Sequence, residues 1–165
     1  MFLPWLFCLP EVSLVDFSLR RAVEADFPAI RQLIRESRLN PTGLNWRRFI
    51  VAQTSQGDFA GCGQIKPHSE GTLELASIAI KEDYRDKGLA SQVIRRLLAD
   101  EPDRPIYLTC RSELGDFYQK FGFRTLDLGE MPPYYRRLSR LVNLFLRLSK
   151  KRLLVMSLET VEKEI

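Results

Sequence analysis

The chain has 165 residues, 45% hydrophobic and 28% charged, with a formal net charge of +4. These proportions suit one ordinary globular domain and argue against disorder, and no run reaches the roughly 18 consecutive apolar residues of a spanning helix. Three scattered cysteines, Cys8, Cys62 and Cys110, lack metal or disulfide spacing, so the expectation is a cytoplasmic protein with packed thiols and no metal.

The segment 1–10 is apolar, yet it has no basic flank, is broken by Pro4 and Pro10, and is followed by no small-residue cleavage site. Residues 1–16 are read as an extension packing on the domain, with a poorly ordered tail and a targeting segment as the alternatives. Residues 17–22 alternate and predict a first strand. Asp26, with Pro28 in the first turn, predicts the start of a helix reaching about Arg38, whose apolar face carries Phe27, Ile30, Leu33 and Ile34. After the breaker cluster 40–43, residues 48–53 and 59–66 read as a hairpin around the turn 55–58, and 72–80 as a third strand of the same run. A helix over 88–100 presents Leu89, Val93, Ile94, Leu97 and Leu98 on one face. Residues 106–110 form a short strand, 113–121 a short helix, and 124–128 and 153–158 the last strands, with a helical insert at about 133–149. This order describes a mixed sheet flanked by helices in a single domain over 17–165, and its consecutive hairpins argue against a purely parallel sheet.

The most specific stretch is the loop Arg85-Asp86-Lys87-Gly88-Leu89-Ala90, lying between a strand and an amphipathic helix. A small-residue loop at a helix start leaves backbone N–H groups pointing outward, with the positive end of the helix dipole behind them, and so suits a pyrophosphate. By itself the pattern also fits an ordinary turn. Its surroundings, however, resemble motif A of the GNAT acetyltransferase superfamily, Arg/Gln-x-x-Gly-x-Gly/Ala, and the likeness extends to Leu75-Ala-Ser-Ile-Ala-Ile80 before it and Val93-Ile-Arg-Arg-Leu-Leu98 after it. About 30 residues on, Phe117-Tyr-Gln-Lys-Phe-Gly-Phe123 is similar to the family's motif B. The resemblance implies an α/β (α+β) acyl-CoA N-acyltransferase fold with a mostly antiparallel central sheet, and acetyl-CoA as the acyl donor. It also implies that the backbone of Ile78, Ala79 and Ile80 pairs with the pantetheine arm, and that Arg85, Asp86, Lys87, Gly88, Leu89 and Ala90 cradle the pyrophosphate.

Acetyl transfer from a thioester to an amine needs a neutral amine, a polarised carbonyl and a proton for the leaving thiolate. By the resemblance Tyr118 is the general acid, its phenol being protonated at neutral pH, although a core tyrosine would read the same way. Glu74, eleven residues before Arg85, is the candidate base by a spacing similar to that of histone-acetyltransferase-like members, and a carboxylate on the solvent face of a strand is the alternative. His68, the single histidine, is expected to be a solvated turn residue, and Cys110 a packed thiol. Arg111 stands where many members carry asparagine, and Gly115-Asp116 where an alanine-rich turn is common, which leaves the adenine side and the pantetheine contacts less defined.

Charge is concentrated in the insert. Between Glu130 and Glu159 there is no acidic residue, while Arg136, Arg137, Arg140, Arg147, Lys150, Lys151 and Arg152 contribute +7, leaving −3 for the rest. A wheel places Tyr134, Leu138, Leu141, Val142, Phe145 and Leu148 on one face, and Arg136, Arg140, Asn143, Arg147 and Lys150 on the other. Three readings stay open: the apolar face caps the domain or a homodimer interface, the helix lies on an anionic membrane surface, or it attracts an anionic acceptor. Nucleic acid is disfavoured because no aromatics interleave with the basic face. Tyr134 and Tyr135 are candidate contacts to an amine acceptor that the sequence does not name. A non-catalytic CoA-binding regulator is the contrasting function.

Overall fold

The structure, a computed structural model, describes residues 16–148 and 151–159. Residues 1–15 of the N-terminal extension 1–16, Cys8 with them, Ser149 at the end of the insert, Lys150 after it and residues 160–165 lie outside the described residues. In chain order the elements are β1 (Phe17–Arg21), α1 (Phe27–Glu36), β2 (Phe49–Thr54), β3 (Phe59–Pro67), β4 (Leu73–Ile80), α2 (Leu89–Asp100), β5 (Ile106–Arg111), α3 (Gly115–Gln119), β6 (Arg124–Thr125), α4 (Pro133–Phe145) and β7 (Leu153–Leu158).

The seven strands make one sheet in the order β1-β2-β3-β4-β5-β7-β6. Every neighbouring pair is antiparallel except β4 with β5. Period-two alternation sends successive side chains to opposite faces, and each face is closed by helices. On one face Leu89, Val93, Ile94 and Leu97 of α2 pack against Ile50, Leu75, Ile106, Leu108 and Met156. On the other, Ile30, Leu33 and Ile34 of α1 meet Phe49, Val51, Cys62 and Ala79, and Tyr135 of α4 meets Leu126, Met131 and Val155. Each aliphatic side chain buried this way contributes about 1.5–3 kcal/mol.

Several sequence expectations shift for local reasons. Asp26 does precede α1, but its carboxylate makes no cap bond. It takes two bonds from Arg20, at 2.7 and 2.9 Å, and one from the Val23 amide at 2.7 Å. The Arg20 guanidinium accordingly holds that carboxyl below its usual range. The expected strand 124–128 is cut to Arg124–Thr125, because Asp127 to Glu130 closes a turn (Glu130 N to Asp127 O, 2.9 Å) tied to Arg124 at 2.8 Å. The short helix expected over 113–121 divides into a turn, Ser112–Leu114, and the five-residue α3.

The feature that shapes the site is where β4 leaves β5. Their ladder holds only two pairs, Leu73 with Ile106 and Glu74 with Tyr107. Beyond Glu74, β4 continues to Ile80 against β3 alone. Its register on β3 slips between Cys62 and Gln64, so that β4 carries two residues, Ser77 and Ile78, opposite the single Gly63. Ser77 sits at φ +58, a conformation uncommon outside glycine and asparagine. Such a bulge bends its strand and raises the local twist, and here it opens the sheet into a wedge.

Gly61 backs that wedge. A Cβ there would lie 2.8 Å from the Ala79 carbonyl oxygen, which is backbone and cannot turn aside. Gly61→Ala is expected to cost about 1–3 kcal/mol through overpacking, read as a lower urea midpoint at unchanged m-value.

Candidate active site

One end of the wedge is an anion cradle. Gly88 takes φ +75 as the residue before α2, with no side-chain cap. The first helical bond runs from the Gln92 amide to Gly88 O at 3.2 Å, so the N–H groups of Leu89, Ala90 and Ser91 have no helical acceptor. A Cβ added at Gly88 would meet nothing within 4 Å, so the approach to these amides is open. A cavity of about 260 Å³ lies over them, lined also by Arg85, Asp86 and Phe117. Arg85 Nε donates to the Ile80 carbonyl at 3.2 Å, which ties the loop to the end of β4. The Lys87 ammonium lies 5.9 Å from the centre of the Tyr84 ring. Positive φ at Asp86 (+61) and Gly88 lets the loop fold tightly here.

The other end is a cavity of about 440 Å³ between the separated strands, bounded by Ser77 and Ile78 of β4, Thr109 to Arg111 of β5, and Tyr118 of α3. Ser37 and Arg38, just past α1, close it from the opposite face. Consecutive residues of α3 therefore serve the two ends, Phe117 at the cradle and Tyr118 at the cavity. Burial, and to a lesser degree the neighbouring Cys110, push the Tyr118 phenol up to about 12. Cys110 is itself a buried thiol raised to about 11 by desolvation, its Sγ 3.9 Å from Met156 Sδ. Neither feature makes it a thiolate nucleophile at neutral pH.

Three lining features had no clear sequence signal. Arg38 takes φ +54, and the Leu39 amide turns back to Ile34 O at 3.0 Å, which aims the α1 terminus at the cavity. Ser77 Oγ accepts a bond from Gln64 Nε2 at 3.1 Å, and the fully buried Gln64 keeps its Oε1 without a partner. Arg111, noted in the sequence only as a departure from motif B, lines the cavity together with Arg38; among the described residues no Asp or Glu does.

The proposed base and substrate residues form a separate group. Glu74 is 7% exposed. Its Oε2 accepts from His68 Nε2 at 2.6 Å and lies 3.3 Å from Lys66 Nζ. His68 is therefore not the solvated turn residue expected; its ring is half-buried and packs at 4.7 Å on Tyr134, tilted by 38°. Tyr135, expected at a substrate mouth, is fully buried against Tyr107 (5.2 Å), with its hydroxyl beside that of Thr72. Burial and the Glu74 charge raise its phenol further above the usual range. Tyr134 remains partly open. Glu74 is not among the residues lining the 440 Å³ cavity; Ala76, which does line it, lies two residues further along β4, about 7 Å away. The structure thus brings Tyr118, Ile78 and the 85–90 loop to one wedge and sets Glu74, Tyr134 and Tyr135 below it.

Among the described residues no cluster of three or more His, Cys, Asp or Glu side chains is arranged to hold a metal, and no helix is long and apolar enough to cross a membrane.

Residues 45–125 match the acetyltransferase (GNAT) domain family. No curated protein matches the chain. Among solved structures, N-acetylglutamate synthase from Neisseria gonorrhoeae, complexed with coenzyme A and N-acetyl-glutamate, is similar at TM-score 0.65 and 20% identity, over 88% of this chain and 36% of its own. Rv2747 from Mycobacterium tuberculosis, solved with CoA, gives 0.65 and 22%, over 87% and 99%. A GNAT-family acetyltransferase from Staphylococcus aureus gives 0.62 and 11%, over 87% and 99%. The chain spans about a third of the length of the synthase. At these identities the likeness establishes the fold, a mostly antiparallel sheet flanked by helices.

Glu74 neutralises Lys66, which is 8% exposed. Removing one partner of a buried pair costs about 3–5 kcal/mol, whereas replacing both by apolar groups is often near neutral. Glu74→Ala is expected to destabilise by that amount in urea denaturation, and Lys66→Met with Glu74→Leu to recover most of it.

Proposed function

Because the chain carries a GNAT acetyltransferase domain, matched over residues 45–125, we propose that it transfers an acetyl group from acetyl-CoA to a primary amine, directly within a ternary complex. The observation that carries this reading is the order of parts along the wedge: an amide cradle at α2, an unladdered edge of β4, and a cavity bounded by Tyr118. Bound acetyl-CoA supplies an activated thioester. The N–H groups of Leu89, Ala90 and Ser91 bind its pyrophosphate, helped by the helix dipole, with Arg85 and Lys87 adding charge. The free edge of Ile78, Ala79 and Ile80 offers the pantetheine arm a strand to pair with.

Tyr118 donates its proton to the sulfur as the carbon–sulfur bond breaks. With the phenol raised to about 12, it stays protonated throughout the neutral range. Donation to a thiolate of ordinary pKa would be uphill, but the burial that raises the phenol raises a thiolate beside it as well. On the acceptor side, the exposed Arg38 and Arg111 are among the residues lining the cavity, and among the described residues no Asp or Glu lines it. Two positive charges at its rim disfavour an ammonium and press the acceptor towards its neutral, nucleophilic form. Glu74, held by His68 and Lys66, takes up the proton through water rather than by contact.

The same charges favour an acceptor that brings its own carboxylate, paired with a guanidinium as such groups prefer. That a structural neighbour is an N-acetylglutamate synthase holding N-acetyl-glutamate supports this acceptor class. Amino acids are expected to show kcat/KM at least about tenfold above the corresponding decarboxylated amines, and Arg38→Gln to narrow the gap; equal rates for both would exclude the class.

Saturating acetyl-CoA, about 100 times its Kd, is expected to stabilise the protein by about 2.7 kcal/mol, or roughly 5–10 °C at this size. Gly88→Val should abolish the shift. Tyr118→Phe should keep it while turnover falls about 10²-fold or more. A shift with no turnover on any amine would leave a non-catalytic CoA-binding protein, and no shift at millimolar ligand would remove both readings.

A further inference from the structure

Helix α4 meets the domain by an unexpected edge. Of the readings the sequence left open, burial of the leucine face on the domain is not the one taken: the buried positions are Tyr135 and Ser139, with Asn143 on the same side one turn later. Asn143 fixes the rotation. Its Oδ1 accepts from the Leu153 amide at 2.8 Å, and its Nδ2 donates to Leu153 O and to Ser139 Oγ, both at 3.2 Å. One side chain thus satisfies both backbone groups of the first residue of β7. At the other end Arg136 donates to the carbonyls of Gly129 and Met131. With polar groups setting the inner edge, the apolar stripe turns outward: Leu141 is 57% exposed, Leu144 56% and Phe145 78%.

These three side chains stand at i, i+3 and i+4 spacing and so form one patch. Arg137 and Arg140 lie one turn before Leu141 and Leu144, and Arg147 follows, all exposed. Among the described residues none of these three arginines makes a salt bridge, and the chain carries no carboxylate between Glu130 and Glu159. The outward face therefore combines large apolar side chains with uncompensated positive charge. A second copy of the same face would satisfy the apolar groups but bring like charges together, which is unfavourable. An anionic lipid surface meets both demands: the acyl boundary takes Leu141, Leu144 and Phe145, while the arginines reach the headgroups.

We infer that the outward face of α4 docks this domain on anionic membrane surfaces. The seat is peripheral, with the helix lying in the interface plane. The proposal does not depend on the acetyltransferase reading.

Co-sedimentation of the full chain with phosphatidylcholine vesicles, with and without 30% phosphatidylserine (an order-of-magnitude composition, about that of an anionic leaflet), tests it. Binding is expected only with the anionic lipid and should fall steeply with salt. Arg137→Gln with Arg140→Gln should weaken partitioning about 25-fold, near fivefold per basic residue. Leu141→Gln with Phe145→Gln should weaken it more than tenfold, and both pairs should leave the thermal midpoint near that of the parent because the sites are exposed. No binding at millimolar anionic lipid, or binding unchanged in both variants, would overturn the proposal. So would a dimer in light scattering that Leu141→Gln with Phe145→Gln converts to monomer, since the face would then belong to a second copy.

Discussion

The separation of β4 from β5 is the constraint on which the rest of the molecule depends. A parallel pair that holds only Leu73–Ile106 and Glu74–Tyr107 forfeits several ladder bonds in the middle of a sheet, where unpaired backbone groups are costly. The bulge at Ser77 makes the loss tolerable by bending β4 towards β3. What remains is an edge in the interior of the domain, with main-chain donors and acceptors waiting for an extended ligand. The cavity at Tyr118 and the cradle at Gly88 are the two ends of that same opening.

Closing the sheet below the wedge falls to polar contacts as much as to apolar ones. Lys66, Glu74 and His68 sit at the end where β4 is still paired with β5, beside Tyr134, Tyr135 and Tyr107, of which Tyr135 stacks on Tyr107 and meets Tyr134 edge to face. A buried carboxylate held by a lysine and a histidine is poor evidence for net stability, because desolvation offsets most of the attraction. It does hold β4 in one register on β3 immediately before the bulge. In the proposed chemistry the same cluster lies one pleat from the acceptor, near enough for a water to connect them.

Helix α4 shows how few hydrogen bonds are needed to orient an element. Its leucines could have been buried by a modest rotation, at the expense of leaving the Leu153 backbone and Asn143 unpaired inside the protein. An unsatisfied buried polar group costs about 1–3 kcal/mol, comparable with the gain from covering one more leucine. With three such bonds made by Asn143, the polar edge wins and the apolar patch is left to face outward.

Much of the fold was legible because its signals are local. Alternation in 59–66 and 72–80, the helical stripe in 88–100, and a small-residue loop at a helix start each depend on neighbours within one or two turns. Motif A and motif B carried the wedge, since Gly88 and Tyr118 are specified by their own segments. Other features were decided only by tertiary structure. Glu74 reads as an open strand carboxylate until Lys66 and His68 arrive from β3 and its turn, and Arg38 is an ordinary helix-end arginine until β5 brings Arg111 opposite it. A wheel ranks the faces of α4 by hydropathy alone, whereas the face that docks was chosen by Asn143 meeting a strand ten residues away. Sequence by itself determined which segments form elements and where an anion can sit, because those follow from backbone period and cap chemistry. Which polar groups meet across the sheet, and hence which residues are buried, paired or free to act, depended on contacts between distant segments that no local pattern encodes.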